Sequence, residues 1–155
     1  MNKYLTPEQV DFFHENGYLH LEKVFTEKEC LDAIESAEKA ANGHYTNYLD
    51  MHLRSPVVHE VLTGKKTCDI ADDIFGGVRG IPCGTGYFFC KPNNPLEHGS
   101  VWHQDNYAPK AKFGAYLNLG MVLDDADASN GSLKIIPKSH LLGDLPCEPK
   151  PNFEY

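Results

Sequence analysis

The sequence contains no apolar run long enough to cross a bilayer as a helix. Its opening, MNKYLTPEQVDFF, lacks both an apolar core and a small-residue cleavage site, so no secretory signal is expected. Cysteine is sparse and unpaired in pattern. The 5 residues Cys30, Cys68, Cys83, Cys90 and Cys147 are odd in number, and no two are spaced Cys-x-x-Cys. That argues against a disulfide framework and a structural zinc site, and leaves free thiols in a reducing, cytoplasmic setting. Positive charge is also short: 14 basic residues face 22 acidic ones, for a net charge of -8. A nucleic-acid partner needs a basic face, and so does adhesion to anionic lipid, so neither is expected. A solvated exterior and a small-molecule partner fit the balance better, while the oligomeric state stays open. No internal repeat is present.

What remains is a chain of 155 residues with 41% hydrophobic content, enough for one domain with a packed core. Two helix starts are explicit. Thr6-Pro7-Glu8-Gln9 offers an N-cap, a proline in the first turn and a capping-box glutamine, and Gly17 closes the helix that follows. Thr26-Glu27-Lys28-Glu29 is a second capping box. It opens a longer helix with Cys30, Leu31, Ile34, Ala37 and Ala41 on one face, stopped by Asn42-Gly43. A short strand is predicted over 18–25, and further helices over about 55–62 and 67–74. After Gly77 the apolar runs shorten and turn residues multiply. Strands are predicted near 85–90, 101–107, 115–123 and 132–136, separated by Pro92-Asn93-Asn94-Pro95, Pro109 and Asn130-Gly131. Helices followed by strands indicate an α+β fold: a helical part over 1–77 and a strand-rich part over 78–155. The tail from Pro146 to Tyr155 reads as irregular.

The chemistry centres on Val101-Trp102-His103-Gln104-Asp105-Asn106-Tyr107. On a strand, residues two apart share a face, so His103 and Asp105 would present an imidazole nitrogen and a carboxylate oxygen to one ion. These are two donors of the 2-His-1-carboxylate set that suits non-haem iron(II). The spacing by itself is weak, because with 8 histidines chance yields roughly 0.6 His-x-Asp per chain of this composition. His20-Leu21-Glu22 repeats the spacing, but Leu19 and Leu21 claim the buried face there and His20 and Glu22 are left to solvent. Around His103 both faces are polar, and buried polar groups need partners.

The ordered motifs add what spacing lacks. Lys91-Pro92, Trp102-His103-Gln104-Asp105, Leu123-Asp124-Asp125, Asn130-Gly131-Ser132-Leu133 and Ile136-Pro137-Lys138-Ser139-His140 together resemble the phytanoyl-CoA dioxygenase family of iron(II)- and 2-oxoglutarate-dependent oxygenases. The block FFHENGYLHLEKVF is similar to the family's opening helix, strand and helix. The resemblance implies N-terminal helices flanking a double-stranded β-helix, a cupin-like jelly roll. It implies Fe(2+), 2-oxoglutarate and O2 as cofactor and co-substrates, with succinate and CO2 as co-products. His103 and Asp105 match the metal ligands, and Tyr87 and Lys91 lie on the strand that lines the co-substrate pocket. Trp102, Gln104 and His140 fall at pocket or structural positions. Related halogenases lack the carboxylate, so Asp105 points to hydroxylation. The family usually has glycine where this chain has Lys138.

The same pattern places a distal histidine and a 2-oxoglutarate-gripping arginine on later strands. Here the only arginines are Arg54 and Arg79, and His140 is the only histidine after His103. The expectation is therefore an incomplete jelly roll, with the C-terminal strands missing. A fragment of a longer enzyme, a short form that is catalytically silent, and a substitute ligand at His140 or His98 are the readings left open. A cupin-like protein with another metal is more remote, since its two-histidine first motif is not evident.

Overall fold

The structure is a computed structural model that describes residues 4–42, 48–78, 86–87, 102–107, 111–112, 114–129 and 132–146. Its first part is helical, and three of its four α-helices begin where a side chain accepts from a free amide of the first turn. In α1 (Pro7–Asn16), the Thr6 hydroxyl accepts from the Gln9 amide at 3.3 Å, and the Gln9 side chain accepts from the Thr6 amide at 2.9 Å. Gly17 ends the helix at φ 81°, a left-handed turn that costs glycine nothing. Thr26 and Glu29 form the same reciprocal cap on α2 (Glu27–Ala41), which stops at a left-handed Asn42. Ser55 caps α3 (Pro56–Thr63) by accepting from the Val58 amide, and α4 (Lys65–Ile74) follows from Gly64.

Two apolar clusters hold these helices. In one, Leu5, Ile70 and Ile74 are buried, with Val10, Phe13, Leu19, Leu21, Val24 and Leu117 packed against them. In the other, Ala37 of α2, Met51 and Val58 of α3 are buried together. The buried stripe of α2 is Ala33, Ala37 and Ala41, whose small side chains allow close approach to α3. Leu31 is exposed rather than on that face: two residues from Ala33 is a rotation of about 200°. Polar ties reinforce the packing. The hydroxyls of Ser36 and Ser55 meet at 2.7 Å, linking α2 to α3. The buried Asp73 carboxylate of α4 accepts from the Tyr4 and Leu5 amides at 2.7 and 2.9 Å, fastening the chain ahead of α1.

The predicted strand over 18–25 does not form. Leu19, Leu21 and Val24 do pack inward and His20 and Glu22 are exposed, but Lys23 turns left-handed at φ 57° and breaks the extension. Among the described residues the only ladder is a two-residue antiparallel pair, β1 (Tyr48–Leu49) with β2 (Gly86–Tyr87). The described parts of the predicted strands 101–107, 115–123 and 132–136 run without a ladder, and Asp105–Tyr107 is a turn of 3-10 helix. A strand exists through its partner, and residue pattern alone does not supply one. The turns at Pro92–Pro95, Pro109 and Asn130-Gly131, the cysteines Cys83, Cys90 and Cys147, and Arg79 lie outside the described residues, as does the tail over 147–155. Cys30 and Cys68 are free thiols. No helix among the described residues is long and apolar enough to cross a membrane.

Candidate metal centre

Residues 102–107 are held from behind by side-chain amides. Gln104 uses both ends of its amide: Nε2 donates to the Gly143 carbonyl at 3.1 Å, and Oε1 accepts from the Leu145 amide at 2.8 Å. Asn106 does the same two residues on. Its Nδ2 donates to the Ala111 carbonyl at 3.0 Å and to Asp144 Oδ1 at 3.3 Å, while its Oδ1 accepts from the Ala111 amide at 2.8 Å. An amide side chain used at both ends imitates a rung of a ladder. Gln104 and Asn106 therefore serve the scaffold, and the alternate residues, His103 and Asp105, are left for each other.

His103 Nε2 and Asp105 Oδ1 lie 2.9 Å apart, with the side chains 46% and 47% exposed. The second oxygen of Asp105 is taken: Asn118 Nδ2 donates to Oδ2. The expected juxtaposition of His103 and Asp105 is thus present, although it rests on a bend leading into a 3-10 turn and not on a strand. Two donors bound about 2.1 Å from one ion at adjacent octahedral positions are about 3.0 Å apart. The observed separation fits that edge, and the exposure leaves the pair open to an ion. Among the described residues, no third His, Cys, Asp or Glu joins them in a cluster able to hold a metal.

The other candidates are placed as follows. Trp102 is 62% exposed beside the pair. The backbone of Tyr87 lies in β2, while Lys91 and His98 lie outside the described residues. His140 sits against the end of α1. Its Nε2 bonds the His14 carbonyl at 3.0 Å, and its ring lies so close to Gly17 that a Cβ there would collide with it. Beside it, Lys138 adopts φ 64°, a left-handed geometry that suits the glycine expected there. Here the lysine is compensated. Its amide donates to the Asn16 carbonyl at 2.8 Å, and its ammonium meets Glu15 at 2.8 Å. That hydrogen bond and charge hold the Glu15 carboxyl below its usual range.

Asn118, which bonds Asp105, belongs to no motif of the sequence. The signal was a single amide inside the apolar run Tyr116-Leu117-Asn118-Leu119. Its reach to Asp105, 13 residues away, depends on folding.

An imidazole nitrogen and a carboxylate oxygen at this separation, both half exposed, are two donors of the type a non-haem metal ion takes. The family is the one described as phytanoyl-CoA dioxygenase (PhyH): its model matches residues 13–154, and the chain belongs to it. Neither a curated protein nor a solved structure matches the chain. The family implies a double-stranded β-helix, and its members typically use iron(II) and 2-oxoglutarate.

Proposed function

We propose that this chain is an iron(II)- and 2-oxoglutarate-dependent dioxygenase domain that hydroxylates a small organic molecule. The carrying observation is the 2.9 Å approach of His103 Nε2 to Asp105 Oδ1 in a chain of this family. His103 and Asp105 would hold the metal through those two atoms. When bound, iron(II) supplies the redox chemistry that couples O2 and 2-oxoglutarate to hydroxylation, with release of succinate and CO2. The protein's own share is placement. Gln104 and Asn106 fix the backbone, Trp102 stands exposed beside the pair, and the family's pattern assigns Tyr87 and Lys91 to the co-substrate pocket. The net charge of -8 supports a small-molecule partner over nucleic acid or anionic membrane.

The test is succinate formation by the full chain given iron(II), 2-oxoglutarate and O2. Release above the protein-free background, abolished in His103→Ala and Asp105→Ala, is expected. Equal release from all three proteins overturns the assignment. The half-exposure of both donors favours a second reading, a catalytically silent domain that retains the metal pair, because oxygenase chemistry calls for exclusion of water. That domain would bind metal and release no succinate.

A further inference from the structure

We infer that Asn118 orients the Asp105 carboxylate for the metal, an assignment that rests on His103 and Asp105 being the donors. A carboxylate rotates easily about its last torsion and offers either oxygen, or both, to an ion. Here that freedom is removed. Asn118 Nδ2 engages Oδ2, and Oδ1 is left on the His103 side. The result is a one-oxygen donor in a fixed plane.

The choice of amide matters chemically. A lysine or arginine at this position would neutralise the carboxylate and compete with a divalent cation. The neutral Asn118 amide donates one hydrogen bond and leaves the negative charge for the ion. Its position is also anchored. The preceding residue, Leu117, packs against the Leu5, Ile70 and Ile74 cluster, so the orienting amide is tied to the helical core. Gln104 and Asn106 differ from it in kind, because both bond chiefly to backbone groups.

The probe is Co(II), titrated anaerobically into the full chain and read by calorimetry and by its visible d–d bands. Asn118→Leu keeps the approximate shape and removes the donor. Its affinity should fall 10–100-fold, about the usual cost of losing an outer partner of a ligand, and the d–d bands should shift as Asp105 is freed. Asn118→Gln, which keeps an amide, should retain more affinity than Asn118→Leu. In an Asp105→Ala background, Asn118→Leu should change nothing further. An equal loss in both backgrounds would make Asn118 a general structural residue and overturn the inference. So would wild-type affinity and bands in Asn118→Leu when His103→Ala abolishes binding. If circular dichroism shows Asn118→Leu unfolded, Asn118→Ala enters the same cycle under the same criteria. Absence of Co(II) binding by the wild-type chain overturns the metal-site reading itself, and the inference with it.

Discussion

The helices between Pro7 and Ile74 and the segments between Trp102 and Leu145 meet their needs by different means. In the helical region, the backbone is satisfied locally, by i to i+4 bonds and by caps at Thr6, Thr26 and Ser55. Every buried apolar residue among those described lies between Leu5 and Ile74. In the later region, order near the site comes from Gln104 and Asn106 gripping distant or looping backbone. Large apolar residues there stay in contact with solvent, Leu133 at 82% and Leu142 at 69%. The helices of the first region start and stop on short-range instructions and are then tied by Asp73, whereas the Gln104 clamp of the second depends on backbone about forty residues along the chain. The two join where Lys138 and His140 grip the end of α1, and where Leu117 enters the helical core.

That comparison predicts a graded set of effects. The largest belongs to Asp73. Its carboxylate serves two amides, and Asp73→Ala strands both, one of them buried. The cost should be about 3 kcal/mol in a urea unfolding series. A loss under about 1 kcal/mol would show that the tie to residues 4–5 contributes little to the helical region. Next comes the junction. Gly17→Ala imposes a left-handed alanine and a collision with the His140 ring. It should cost about 2 kcal/mol, part of which His140→Ala should recover by removing the obstacle. No recovery in the double variant would mean that the backbone alone sets the cost.

Smaller again is Gln104→Ala in the later region. It removes two hydrogen bonds and should accelerate exchange of the Leu145 amide by about tenfold, with little change in helix content. Unchanged exchange would contradict the clamp. The smallest effect is electrostatic. The Lys66 hydrogen bonds to Glu29, with the Thr26 cap, lower its carboxyl from 4.5 to about 2. A lowered carboxylate contributes stability that is complete above about pH 4.5 and fades as pH falls toward 2. The advantage of wild type over Glu29→Gln in thermal melts should follow that window, and an advantage undiminished at pH 2 would contradict the pairing.

How much was legible follows the same division. Thr6 and Thr26 announced their helices because a capping box is complete within four residues, and Gly17 and Asn42 marked the ends for the same reason. The His103/Asp105 pair was legible as spacing plus ordered motifs. Its support was not: the alternation expected of a strand survives in which side chains face the site, while the backbone bends into a 3-10 turn. The 18–25 segment read as a strand because Leu19 and Leu21 alternate with polar residues, yet Lys23 breaks the run at φ 57°. Lys138 shows the reverse. There the resemblance leads to an expectation of glycine, while the left-handed φ of 64° and the compensating contacts with Asn16 and Glu15 emerged only from the fold. Asn118 depended wholly on tertiary placement.

The central claim is that His103 and Asp105 together chelate iron(II). Anaerobic addition of iron(II) and 2-oxoglutarate to the full chain tests it most directly. A chelated site gives a weak visible charge-transfer band, which should appear in the wild-type chain and vanish in His103→Ala. No band in the wild-type chain, or an equal band in His103→Ala, would contradict it.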